Sequence, residues 1–91
     1  MDKALTTAAA TKAIRTILAT GTVSFSGHAE QRMAQRKLTM VDVANVARCG
    51  RVTKVELVFG RFRYHASTDK ICIVVEIQSA VTILVITAWR P

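Results

Sequence analysis

Two groups of residues in this 91-residue chain have the types and spacing to act on a phosphate. In the first, F-S-G-H-A-E-Q-R-M-A-Q-R from Phe25 to Arg36 sets His28, Arg32 and Arg36 four residues apart, so on a helix all three project from one side. In the second, R-F-R-Y-H-A places Arg61, Arg63 and His65 on one face of a strand and Phe62, Tyr64 and Ala66 on the other. Imidazoles beside guanidiniums suit metal-independent RNA cleavage, in which a 2′-hydroxyl attacks the adjacent phosphorus. That reaction needs a base, an acid for the leaving 5′-oxygen, and cations against the charge developing on the phosphate. His28 and His65 are the candidate base and acid, with Tyr64 as an alternative proton donor. Arg32, Arg36, Arg61 and Arg63 are the candidate phosphate-binding residues. The competing reading is a solvated basic helix face, with Arg32 or Arg36 paired to Glu76, His28 idle near a helix N-terminus, and Tyr64 a core aromatic.

Composition narrows the partner. Thirteen Lys and Arg against six Asp and Glu give a net charge of +7, which calls for nucleic acid, an anionic membrane surface or an acidic protein. The carboxylates are scattered, which argues against a two-metal nuclease, and Cys49 and Cys72 have no second Cys or His at zinc-ligand spacing. Both cysteines are expected to be small buried side chains in a reducing, cytoplasmic protein. No Gly-rich phosphate loop, Ser/His/Asp order or helix-turn-helix signature is present, so neither metal nor cofactor is implied. Aromatics are 5% of residues, too few for a single-strand-binding platform, although Trp89 could stack a base or close the core. Lys12 and Arg15 interrupt the Ala- and Thr-rich start, and no apolar run approaches membrane-spanning length.

The elements that must position these residues form one domain over residues 1–91, a helix over 1–21 followed by a core over 22–91. Asp2 is a candidate cap for the first helix, whose stripe is Ala10, Ile14, Ile17 and Leu18 and whose end falls at Gly21. After a short extended piece, T-V-S-F-S, Ser26 can cap the second helix, which ends near Lys37. Its apolar stripe, Ala29 and Met33, borders the basic arc, so docking it on a sheet sets His28, Arg32 and Arg36 at a seam facing Arg61, Arg63 and His65. Thr39 and Asp42 make a capping box for a third helix with Met40, Val43, Ala44 and Ala47 inward, closing at Gly50.

The apolar period then changes from about 3.6 to 2. Four strands are expected: Val52 to Phe59, with Thr53, Val55, Leu57 and Phe59 on one face and Lys54 and Glu56 on the other; Arg61 to Ser67 after a hairpin at Gly60; Ile71 to Gln78; and Val81 to Trp89. The predicted fold is α+β, with two or three helices packed on one face of a four-stranded, mainly antiparallel sheet.

From Val23 to Trp89 the sequence resembles a family of small bacterial proteins known as domain of unknown function 4258. The resemblance rests on F-S-G-H-A-E-Q-R-M-A-Q-R, L-T-M-V-D-V-A-N-V with Gly50, the R-Y-H strand and the final V-I-T-A-W. It implies an element order similar to RelE- and MqsR-type messenger-RNA interferases, and a partner antitoxin encoded nearby. The resulting expectation is a toxin-type endoribonuclease acting on single-stranded mRNA, free or ribosome-bound, and neutralised by a cognate antitoxin. The alternative is a noncatalytic basic module from a mobile element that binds a nucleic-acid machine or a partner protein.

Overall fold

A computed structural model describes residues 4–90. Three helices, α1 (Thr7–Thr20), α2 (Gly27–Arg36) and α3 (Met40–Cys49), accompany five strands: β1 (Thr22–Phe25), β2 (Arg51–Val58), β3 (Arg61–Ser67), β4 (Cys72–Ser79) and β5 (Thr82–Trp89). The α+β class is as expected, but the sheet is five-stranded and mixed, in the order β1-β5-β4-β3-β2. β2 to β5 form the antiparallel meander. The extra strand is the T-V-S-F piece, which pairs parallel to β5 from Thr22↔Thr82 to Phe25↔Val85. Four residues are too few to display a period, and the strand is defined only by a partner some sixty positions away.

Local chemistry fixes the helix ends. The Thr6 hydroxyl accepts from the Ala9 N–H at 3.1 Å and caps α1; the Asp2 cap expected from sequence lies outside the described residues. The capping box of α3 is present, with the Thr39 N–H donating to the Asp42 carboxylate at 2.8 Å and the Asp42 N–H donating to the Thr39 hydroxyl at 3.1 Å. These bonds from Thr39, main chain first, hold the Asp42 carboxyl below its ordinary value.

α1 and α3 pack against one another and cover one sheet face, burying Ala10, Ile14, Ile17, Val43, Val46 and Ala47 over Ile73, Val75, Ile83 and Val85. Each Ile or Val fully buried there contributes roughly 1.5–3 kcal/mol. α2 behaves differently. It packs on β5, where Ala29 and Met33 are buried, and takes over that edge of the sheet where β1 ends.

Three further expectations change. A register shift between Val52 and Lys54 turns Thr53 out, so Val52 and Val55 rather than Thr53 and Val55 point to the core side. Phe59 leaves the strand altogether and forms, with Gly60, a two-residue turn in which both have positive φ, 49° and 76°. Cys49, expected to be buried, is exposed at the last position of α3, and Cys72 is half-buried; both are free thiols.

Candidate functional site

The start of α2 is anchored through Ser26. Its hydroxyl accepts from the Ala29 N–H at 3.0 Å, capping the helix, and donates to the Ile86 carbonyl of β5 at 3.1 Å. The other end is held by long bonds. Arg36 Nη1 donates to the Ala88 carbonyl and Arg90 Nη2 to the Lys37 carbonyl, both at 3.4 Å. Lys37 takes the left-handed conformation, φ 55°, which lets the Leu38 N–H reach back to the Met33 carbonyl at 2.9 Å and end the helix. α2 therefore runs along the outer half of β5, with Arg36 tied to that strand.

On this helix the three sequence-predicted residues have unlike surroundings. His28 is exposed and makes no hydrogen bond among the described residues. Arg32 is half-buried, and its Nη1 donates to Gln35 Oε1 at 3.1 Å. Arg36 is the residue tied to β5.

Arg61, Arg63 and His65 project, as expected, from the sheet face that α1 and α3 leave uncovered, and the hairpin register places one β2 carboxylate and one β2 cation among them. Glu56 stands opposite Arg63, and Lys54 opposite His65. His65 bonds diagonally through Nε2 to Glu56 Oε1, while Lys54 Nζ lies 4.0 Å from Glu56 Oε2. The bond from His65, more than the charges of Lys54 and Arg63, holds the Glu56 carboxyl below its ordinary value against the opposing effect of burial. On the next strand Glu76, only 6% exposed, receives Arg63 Nε at 3.3 Å and lies 3.8 Å from Arg61 Nη1. The Trp89 ring of β5 meets the His65 ring edge-on, with centroids 6.3 Å apart and planes at 76°.

Tyr64 lies on the opposite side of β3, 2% exposed, with its hydroxyl accepting from the Leu5 N–H at 3.1 Å. Its place is in the core rather than beside His65. The two basic groups do not face each other across a seam. β4 separates β3 from β5, so α2 lies at least two strand spacings, about 10 Å, from the His65 cluster. What joins them is Trp89, which contacts His65 and sits between Ala88, whose carbonyl accepts from Arg36, and Arg90, which follows β5 and donates to the Lys37 carbonyl just past α2.

Sequence reasoning named the imidazole and guanidiniums but not Glu56, Glu76 and Trp89 as their neighbours. A two-residue turn at Phe59–Gly60 dictates that Glu56 opposes Arg63, so that contact was available from turn length alone. The Glu76 and Trp89 contacts were not, because they need the β3–β4 and β4–β5 registers. Glu76 pairs with Arg61 and Arg63, not with Arg32 or Arg36 as a solvated basic helix face would have it.

Fold and site together define a small α+β protein with one sheet face packed under two helices and the other left polar, centred on a carboxylate-held imidazole. The chain matches the family model described as Domain of unknown function (DUF4258) over residues 25–90 and belongs to that family. The match runs from the end of β1 through β5 and leaves α1 outside. No curated protein and no solved structure matches the chain.

Proposed function

We propose that the chain is a toxin-type endoribonuclease that cleaves single-stranded mRNA without a metal ion and is held in check by a cognate antitoxin, with an overall resemblance to RelE- and MqsR-type interferases. The observation that carries this reading is the His65–Glu56 pair on the uncovered sheet face, flanked by Lys54, Arg63 and Trp89. A carboxylate on one imidazole nitrogen fixes the orientation of the ring. With Nε2 held by Glu56, Nδ1 is the nitrogen left to exchange a proton with substrate. His65 takes the 2′-hydroxyl proton, the 2′-oxygen bonds to phosphorus, and the bond to the 5′-oxygen breaks. A 2′,3′-cyclic phosphate and a 5′-hydroxyl result, the latter taking its proton from solvent water. His28, two strand spacings or more from His65, joins Arg32 and Arg36 in binding the backbone where it crosses β5 toward α2.

A second reading is favoured by one specific fact: Arg61 and Arg63 are occupied by Glu76, as befits a sheet-stabilising network in a noncatalytic docking module. One experiment separates the two. Purified chain, with and without ribosomes, is incubated with single-stranded RNA in chelator, and His65→Ala, Glu56→Gln and His28→Ala are compared. General acid–base catalysis predicts a loss of about 10²–10⁴-fold for His65→Ala. Intact RNA under every condition, or cleavage indifferent to His65→Ala, refutes the catalytic reading.

A further inference from the structure

The ladder between β3 and β4 runs from Ser67↔Cys72 to Tyr64↔Val75 and stops, although β3 extends to Arg61 and β4 to Ser79. Elsewhere the pairing continues. β2 stays paired to β3 up to the turn at Val58↔Arg61, and β4 stays paired to β5 out to Ser79↔Thr82. The two hairpin ends thus separate from each other across a cavity of about 380 Å³. Phe62, Glu76 and Ile77 line it, together with Phe59, which is 99% exposed, and Arg61, whose side chain is 68% exposed.

Strand edges left without a neighbour are templates for another strand. The occupant that fits must bring main-chain donors and acceptors at strand spacing, which a polypeptide has and RNA lacks. Phe62 and Ile77 in the cavity suit an apolar side chain rather than a phosphate. Arg61, 3.8 Å from Glu76 and largely in solvent, is placed for a carboxylate from outside, in keeping with the +7 charge of the chain.

We infer that the parted ends of β3 and β4 are a docking cleft for an extended, acidic segment of a partner protein. The segment adds as a strand along Arg61 to Arg63, seats an apolar side chain on Phe62 and Ile77, and sets a carboxylate on Arg61, with Phe59 against its outer side. This docking is independent of whether the chain cleaves RNA.

The probe is a synthetic peptide of about ten residues alternating Val and Glu, compared with a Val/Lys version and a version interrupted by two prolines. Amide exchange of the full chain is followed by NMR. The Val/Glu peptide is expected to raise protection about tenfold or more at Arg61 to Arg63 and at Glu76 to Ser79, whereas the proline version leaves exchange unchanged. Arg61→Gln, which leaves Glu76 paired to Arg63, and Phe59→Asn are each expected to weaken binding about tenfold with the folded spectrum retained. Three outcomes overturn the inference. The first is no added protection, or equal protection by the Val/Lys peptide. The second is protection that appears on concentrating the protein alone, which assigns the edges to a second copy. The third is protection of these amides by an oligonucleotide that displaces the peptide, which assigns the cleft to RNA.

Discussion

Phe59→Asn should make the chain more stable, although it removes a large apolar residue. Phe59 and Gly60 both have positive φ, 49° and 76°, the geometry of the type I′ turn whose twist matches that of the strands it joins. Glycine adopts that region freely and asparagine tolerates it, but for other residues the clash of Cβ with the following carbonyl costs about 1–2 kcal/mol. Burial does not offset that cost, since the ring is 99% exposed. Relieving part of the strain gives an expected gain of about 0.5–1 kcal/mol. For a domain of this size that is a rise in Tm of roughly 2–8 °C.

Urea unfolding followed by circular dichroism reads the effect as a higher midpoint at unchanged slope, because the same surface is exposed in both chains. A midpoint that stays or falls refutes the reasoning, since it requires the ring to make stabilising contacts that its exposure denies. The comparison also bears on function. Phe59 is both strained and solvent-exposed, and strained positions cluster at ligand clamps. Phe59→Asn should therefore separate the two properties, raising stability while weakening peptide docking.

Ser26→Ala removes both the cap of α2 and the bond to the Ile86 carbonyl, and is expected to destabilise the chain by about 1–2 kcal/mol, measured by the same urea titration. The pH dependence of stability tests the His65–Glu56 pair. The Glu56 pKa is lowered from 4.5 in the folded chain, so its contribution is complete above pH 4.5 and is lost as pH falls through the folded value. Glu56→Gln should make the acid limb shallower, leaving the part that Asp42, lowered in the same direction, still supplies. A limb of unchanged steepness would dissociate Glu56 from His65.

Elements governed by local chemistry were legible in the sequence. Ser26, Thr39 with Asp42, the Ala29/Met33 stripe and the alternation of Arg61, Arg63 and His65 with Phe62, Tyr64 and Ala66 each act within a turn of helix or a few strand residues. What depends on distant partners was not. β1 is defined by β5, the Thr53 bulge by its register with β3, and the position of α2 by the β5 carbonyls it bonds as well as by its buried stripe. The candidate site divides along the same line. Its imidazole and guanidiniums were named from spacing, whereas the assumption that the two basic groups face one another failed because β4 lies between β3 and β5.

That separation bears on which arginines can bind a phosphate. Arg63 donates at 3.3 Å to a carboxylate that is 6% exposed, and Arg61 shares the same partner, so withdrawing both would leave Glu76 charged, poorly hydrated and unpaired. Removing one side of such a buried arrangement costs about 3–5 kcal/mol, more than a single phosphate contact returns. Arg36 gives up only a 3.4 Å bond to a carbonyl, and Arg32 only a bond to a neighbouring glutamine. The β3 arginines therefore hold the sheet and shape the ground on which His65 stands. In the proposed ribonuclease reading, binding of an RNA backbone therefore falls to α2, with Trp89 between the helix and the imidazole, and the helix is the phosphate-binding border of a centre that lies on the strands.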